Sequence, residues 1–145
     1  GFEKALSQYP EIEIADVIYM DQVEDMKGAM EEAMETHTDV AGVFCTNADT
    51  SDLYLELEKD GEQPAFIGVD ATTKQQEALR DGTELGIVSQ DPYDMGYQTI
   101  MAAVQVTETD GEKAEEPEKT VLLDPAWIDA SNIDDPQYSN YIYHS

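Results

Sequence analysis

Residues 64–98 alternate short apolar runs with helical patterns, and each apolar run ends on a polar side chain. The run Ala65–Val69 ends on Asp70 and has the length and composition of a short buried strand. The run Leu85–Ser89 ends in the same way on Gln90. Because ligands bind at the carboxyl ends of the strands in open α/β sheets, Asp70 and Gln90 are predicted to lie at a ligand site.

Helices are predicted on both sides of the second of these strands. Thr73 and Gln76 stand at the spacing of a capping box, and Asp81-Gly82 supplies a stop for the helix between the strands. A further helix is predicted from Pro92, because the apolar residues that follow it recur at helical spacing. These residues are Tyr93, Tyr97, Ile100, Met101 and Val104.

The same alternation extends over the rest of the chain. Strands are predicted over Ile12–Tyr19, over Val40–Thr46, which ends on Asn47, and over Thr120–Leu123. Helices are predicted up to Tyr9, over 21–36, and from the capping residues 49–51 to about Lys59, and a surface loop is predicted over 108–119. This order of elements implies βαβ units, and it predicts one α/β domain, a Rossmann-like three-layer α/β/α fold with a parallel sheet.

The charge of the chain limits its partners. The 145 residues include 33 acidic and 7 basic side chains, which give a net charge of −26. Nucleic-acid binding requires a basic surface, which is absent here, and anionic lipid is disfavoured for the same reason. No apolar run approaches the ~20 residues of a membrane-spanning helix, so no direct membrane insertion is predicted for this chain.

Two sets of sulfur-containing residues are predicted to lie in the core. Met26, Met30 and Met34 share one face of the helix over 21–36, together with Ala33. A methionine stripe can also form a binding face, but beneath a sheet it is more often core. Cys45, the single cysteine, cannot form an internal disulfide, and its apolar run predicts a buried side chain.

No motif in the sequence predicts a cofactor or a metal. The glycine-rich phosphate loops and the serine nucleophile motif are absent, and His37 and His144 have no neighbours at metal-ligand spacing. The acidic segment 129–135 loosely resembles a calcium loop, but it lacks the glycine at the sixth position and the glutamate at the twelfth.

Three predicted strands end on Asn47, Asp70 and Gln90, which together suit a polyol. A carboxylate accepts hydrogen bonds and an amide both donates and accepts them, as do the hydroxyls of a sugar. Each residue also has a purely structural interpretation. Asp70 could cap the next helix, Gln90 could bond to backbone at a hinge, and Asn47 could hold a turn.

The segments FIGVD, EALRDGT and IVSQDPYDMGY resemble the C-terminal half of ribose-binding-protein-like sugar-binding proteins of ABC transporters. The sensor domains of lactose-repressor-family regulators share that fold. The resemblance implies sugar contacts at Asn47, Asp70 and Gln90. It departs from the family pattern after Asn47, where Ala48 precedes the acid at Asp49.

The resemblance also implies an organisation and a function. Residues 1–90 would form the C-terminal lobe, with its first strand preceding Gly1; residues 91–123 would be a helix and a strand of the N-terminal lobe; residues 124–145 would return and form a tail. The implied function is non-enzymatic binding of a small sugar between two hinged lobes, with delivery to an ABC membrane permease. The implied location is extracytoplasmic, with a lipid anchor in the parent chain.

Two alternatives to the importer remain. The first is the effector-sensing domain of a lactose-repressor-family regulator, which an upstream helix-turn-helix would identify. The second is a small α/β enzyme that uses Asp70 as a base, and the sequence offers no activating partner for it. The identity of the sugar is not predicted, because the implied site includes residues outside this chain.

Overall fold

Four strands form one sheet in the computed structural model, which describes residues 1–57, 61, 63–108 and 121–144. The strands are β1 (Gly42–Phe44), β2 (Ala65–Val69), β3 (Gly86–Ser89) and β4 (Ala126–Ile128), in that order across the sheet. Strands β1 to β3 are parallel, whereas β4 pairs with β3 in the antiparallel direction. The predicted α/β sheet is therefore confirmed, with one antiparallel strand at its edge.

Helices connect the strands. Within the described residues the α-helices are α1 (Phe2–Leu6), α2 (Met26–Thr36), α3 (Ala48–Leu55), α4 (Thr73–Asp81) and α5 (Pro92–Glu108), with short 3₁₀ helices at Met20–Gln22 and Pro136–Tyr141. In the described part of the chain, no helix combines the length and hydropathy that crossing a membrane requires.

Helix α4 is capped one residue earlier than the sequence pattern predicts. The Thr72 hydroxyl accepts a hydrogen bond from the Gln75 N–H, and the Gln75 side chain accepts one from the Thr72 N–H. The prediction of Thr73 and Gln76 was wrong because adjacent threonines and adjacent glutamines repeat the same spacing. Gln75 is buried, so packing selects the first pair. The helix ends as predicted at Gly82, whose φ of 83° favours glycine.

One face of the sheet carries the core. Strand register places Phe66 beside Val43 and Ile87 beside both Gly68 and Ile128, so these side chains share a face. Two apolar clusters cover that face. The first contains Met30, Cys45, Tyr54, Leu57 and Phe66, and the second contains Ala71, Leu79, Ile87, Ile128 and Ile133. Met26 and Met34 pack against the first cluster, so the core positions predicted for the methionine stripe and Cys45 are confirmed.

The other face of the sheet is covered more thinly. Phe44 alternates with Val43 along β1 and therefore projects away from Phe66. Phe2 of α1 stacks on Phe44, with 4.8 Å between the ring centroids, and supplies the third layer. Trp127 lies on this same face and is 46% exposed.

Two predicted strands are wrong. Residues 12–19 form no strand, and Ile12, Ile14 and Val17 each remain 44–50% exposed. Residues 121–123 form none either; Leu122 is 86% exposed, Thr120 lies outside the described residues, and the strand is instead at Ala126–Ile128. In both segments the residue types favour a strand, but strand formation also requires a neighbour that satisfies the backbone and buries one face.

Several predicted boundaries also shift. The helix predicted over 21–36 begins at Met26, because the Asp25 carboxylate accepts from the Gly28 N–H and caps it. Pairing confines the strand predicted over 40–46 to Gly42–Phe44. The helix predicted to reach Lys59 ends at Leu55, and residues 58–60 lie outside the described residues, as does the predicted loop from residue 109 onward.

Candidate ligand-binding site

Asp70 lies at the junction of the first three strand ends. It follows β2 directly and is 9% exposed. Its Oδ2 accepts a hydrogen bond from the Ala48 N–H at the start of α3, at 3.2 Å, and its Oδ1 accepts one from Gln90 Nε2, at 3.1 Å. The carboxylate therefore joins the loops that follow β1, β2 and β3.

The backbone of Asp70 is unusual. Its φ of 71° lies in the left-handed region, where it is the one non-glycine residue among those described. Aspartate tolerates this conformation better than most side chains, but it remains sparsely populated and persists where surrounding contacts enforce it. The Asp70 N–H donates to the Val88 carbonyl, so the backbone stays attached to β3 while the side chain turns to the strand ends.

Gln90 follows β3 and precedes α5. Gln90 is exposed, and its Nε2 donates one hydrogen bond to the Asp70 carboxylate. Asp91 caps the next helix by accepting from the Asp94 N–H at 2.8 Å. Gln90 thus lies where the chain leaves the sheet, and none of the described residues donates a hydrogen bond to its amide oxygen.

Asn47 caps helix α3, so the prediction of capping residues at 49–51 was wrong by at least two positions. Its Oδ1 accepts from the Thr50 N–H at 2.9 Å and from Thr50 Oγ1 at 3.0 Å. No described residue accepts from its side-chain nitrogen, and the residue is half-buried next to Ala48. The cap and a ligand contact are compatible, because the oxygen performs the first and the nitrogen remains for the second.

The C-terminal tail lies against residues 70–72, the Asp70 loop, which connects β2 to α4. The sequence did not predict this contact. Gln76 Nε2 donates to the carbonyls of Ala71 and Tyr143, both at 2.9 Å, and the Tyr143 N–H donates to the Ala71 carbonyl at 3.2 Å. Burial and the neighbouring Asp70 carboxylate raise the pKa of Tyr143. The aromatic spacing of the tail (138, 141 and 143) was the available signal, but it matches no regular period.

A cleft opens between the start of α5 and the C-terminal tail. Pro92, Tyr93 and Tyr143 line it, together with polar side chains of the last 3₁₀ helix and its continuation. A second groove, between residues 16–23 and α2, contains none of Asn47, Asp70 and Gln90. The cleft beside α5 contains none of these three residues either, but it adjoins the predicted site through Tyr143, which lies next to the Asp70 carboxylate.

The site offers acceptors and donors in one place, which suits a ligand with several hydroxyls. The structure brings Asp70 and Gln90 into direct contact and places Asn47 one residue from the amide that Asp70 binds. In the described part of the chain, no group of three or more His, Cys, Asp or Glu side chains could hold a metal ion.

The fold resembles that of solved solute-binding proteins. An ABC transporter solute-binding protein from Agrobacterium vitis with bound D-fucose is 22% identical, with a TM-score of 0.83 over 98% of this chain and 49% of that one. A carbohydrate transporter solute-binding protein from Agrobacterium radiobacter in complex with D-arabinose is 24% identical, with a TM-score of 0.75 over 98% and 48%.

A protein described as an ABC transporter, LacI family transcriptional regulator, from Brachyspira murdochii, is 23% identical, with a TM-score of 0.67 over 81% of this chain and 40% of that one. No curated protein matches the chain in sequence. This chain spans about half the length of the solved structures that it resembles.

Residues 1–113 match the family described as periplasmic binding protein domain. The chain belongs to that family, which is a family of binding proteins.

Proposed function

We propose that the chain is the C-terminal half of a two-lobed solute-binding protein that binds a small sugar for an ABC importer. The observation that carries this proposal is the position of Asp70, whose carboxylate joins the loops after three strands through the Ala48 N–H and Gln90. The family match over residues 1–113 and the sugar-bound neighbours support it.

In this proposal the protein holds Asp70 ready for sugar hydroxyls. An ionised carboxylate has about four acceptor positions, of which the Ala48 N–H and Gln90 occupy two. The Tyr143 hydroxyl also lies next to this carboxylate, and the positions that remain accept from sugar hydroxyls through charge-assisted bonds, the strongest that the site offers. Gln90 accepts through its amide oxygen, and Asn47 donates through its side-chain nitrogen. Binding is non-covalent, and no enzymatic step is proposed.

The proposal divides the chain between two lobes. Residues 1–90 belong to the C-terminal lobe, residues 91–123 cross to the other lobe, and residues 124–145 return. The exposed apolar face of α5 supports this division, since Tyr93 is 66% and Ile100 64% exposed in this chain. Covering such a face against another lobe would remove its apolar area from water. Gln90 would then lie at a hinge and move as the lobes close.

The proposed location is extracytoplasmic, which the family supports, and the proposed anchor of the parent protein is a lipid. The proposed partner is the membrane permease of the importer, which would recognise the closed form. Sensing of an effector by a transcriptional regulator is the second candidate, favoured by the Brachyspira murdochii neighbour. A helix-turn-helix in the parent protein would identify the regulator, and a signal peptide with a lipid-modified cysteine would identify the importer.

A thermal shift assay tests the proposed function. The two-lobed protein is heated with D-fucose, D-arabinose and a panel of other pentoses, hexoses and inositols. A sugar at a hundred times its dissociation constant stabilises the protein by about 2.7 kcal/mol, which raises Tm by about 5 °C or more. The shift should vanish in Asp70→Ala and persist in Asp134→Ala, a matched change of an exposed carboxylate that pairs with Arg80. The absence of any shift in the wild type would contradict sugar binding.

A further inference from the structure

A buried polar cluster lies beneath the Asp70 loop. Gln75 on α4 is 0% exposed and Glu84, just before β3, is 2% exposed, although both belong to residue types that are usually on the surface. A side-chain carbon at Gly68 would lie 2.4 Å from Gln75 Nε2 and 2.5 Å from Glu84 Oε1. Glycine at this position therefore makes the space that the two side chains occupy, and neither of them belongs to the site described above.

Gln75 holds both ends of the segment that contains Asp70. Its Oε1 accepts from the Thr72 N–H at 3.3 Å, and its Nε2 donates to the Val69 carbonyl at 3.3 Å. Val69 immediately precedes Asp70 and Thr72 follows it by two residues. Because the left-handed φ of Asp70 needs enforcement by its surroundings, this bridge is placed to supply it.

Glu84 fixes the orientation of the Gln75 amide. Gln75 Nε2 also donates to Glu84 Oε1, at 3.2 Å. If the amide turned over, its oxygen would face both the Val69 carbonyl and the Glu84 carboxylate, and its nitrogen would face the Thr72 N–H. Glu84 thus makes the bridging orientation of Gln75 the favourable one.

We propose that Gln75 and Glu84 are positioning residues that hold Asp70 in its ligand-binding conformation and thereby set the affinity of the site. This inference rests on the proposed function for its effect on affinity. Its effect on the Asp70 loop is independent of any ligand.

The ionisation of Glu84 should make the bond between Gln75 and Glu84 depend on pH. Burial raises the pKa of Glu84 to about 7; from the neighbouring elements, the Gln75 amide and the Gly68 N–H oppose that rise, while the Asp52 carboxylate on α3 adds to it. An ionised carboxylate accepts a stronger hydrogen bond than a neutral one. The hydrogen bond from Gln75 to Glu84 is therefore expected to strengthen as the pH rises through 7, and the Asp70 loop is expected to become better ordered with it.

The first test uses the ligand-free 145-residue chain. Amide hydrogen exchange is measured at Thr72 and Ala48, whose N–H groups bond to Gln75 and to Asp70. In Gln75→Leu and Glu84→Leu, exchange at these two amides is expected to accelerate more than exchange in β2. Met30→Ala, a buried change in the first apolar cluster, is the matched control and should accelerate exchange without singling out this loop.

The second test uses the conservative variant Glu84→Gln, which keeps an acceptor oxygen and the side-chain shape. In the wild type, the NMR signals of the Gln75 side-chain amide should titrate with a midpoint near pH 7. In Glu84→Gln this titration should disappear, while exchange at Thr72 stays close to that of the wild type below pH 7, where Glu84 is also neutral. If the Gln75 signals do not titrate and Thr72 exchange tracks global stability in every variant, the positioning role is overturned.

The third test measures dissociation constants of D-fucose and D-arabinose for the two-lobed protein. Gln75→Leu should weaken binding by at least about tenfold, which corresponds to 1.4 kcal/mol. Met30→Ala should leave it unchanged, and wild-type affinity should rise several-fold from pH 6 to pH 8. If the wild type binds neither sugar nor any other tested, the proposed function fails, and the exchange and titration results alone decide the positioning role. Unchanged sugar affinity in Gln75→Leu would overturn the inference while leaving the proposed function intact.

Discussion

Helices α2 and α5 carry the same apolar spacing but lie in different surroundings. The stripe of α2 packs into the core, where Met30 is 7% exposed. The stripe of α5 is open, with Tyr97 54% and Ile100 64% exposed. Apolar periodicity therefore predicts a helix and the face by which it packs, but it does not predict which part of the protein covers that face. In the proposed function, α2 packs within one lobe and α5 packs on the other.

The largest contrast is expected for aromatic truncations. Phe66 in the core is 1% exposed and packs on Tyr54, with 4.5 Å between ring centroids. Phe66→Ala should lower the free energy of unfolding of the chain by about 3–5 kcal/mol, because it removes transfer energy and leaves a cavity. Tyr97→Ala on α5 should change it by no more than about 0.5 kcal/mol. Urea denaturation of both variants measures the difference; equal losses would mean that α5 is packed in this chain.

Glu84→Gln should stabilise the chain at pH 8. The pKa of Glu84 is raised to about 7 in the folded state, chiefly by burial, above the value near 4.3 expected in the unfolded chain. At pH values between these two pKa values, Glu84 is ionised in the unfolded chain but protonated in the folded chain. Glu84 therefore lowers the free energy of unfolding as the pH rises, and its full cost is present above pH 7. At 1.36 kcal/mol per pKa unit, the gain at pH 8 reaches up to about 4 kcal/mol, and it should be small at pH 4.

The control for Glu84→Gln is Glu77→Gln, an exposed position on α4. Denaturant unfolding at pH 4 and pH 8 should show little effect of this change at either pH. A Glu84→Gln variant that is no more stable than the wild type at pH 8 would contradict the buried charge.

A smaller contrast is expected between one methionine of each stripe, Met30 on α2 and Met101 on α5. Met30→Ala should cost about 2 kcal/mol, the lower end of the range for such core changes. Met101, which is 39% exposed, should cost less than about 1 kcal/mol when changed to alanine. Thermal unfolding of the two variants side by side measures the difference, and a larger loss at Met101 would reverse the comparison.

The smallest expected effect in the chain alone is that of Ile100→Ser, at no more than about 0.5 kcal/mol. In the two-lobed protein the same change should be clearly destabilising, because the α5 face would be covered there. Unfolding both forms with and without the substitution sharpens the comparison between the helices. An equally small effect in both forms would contradict the proposed crossing of α5 to the other lobe.

The best-predicted part of the fold is β2, α4 and β3. In these elements the apolar runs, the helix stop at Gly82 and the burial all favour the same structure, so local pattern and tertiary packing agree. The segment 12–19 shows the opposite case, because its β-branched residues favour a strand and none of the four described strands pairs with it. Pairing is a tertiary property that a local pattern does not contain.

The candidate site was predicted in part. The strand ends identified Asp70 and Gln90, and the parallel topology of β2 and β3 brought them together as expected. The tail contact of Tyr143 and the burial of Glu84 were not predicted. Glutamate and tyrosine in polar segments are usually exposed, and only the three-dimensional packing shows that these two approach the Asp70 loop.

The most direct test of the account is a crystal structure of the two-lobed protein with a sugar that stabilises it. Sugar hydroxyls are predicted to lie about 2.5–3.0 Å from the Asp70 carboxylate oxygens. A sugar bound without contact to Asp70, away from the ends of β1, β2 and β3, would contradict it.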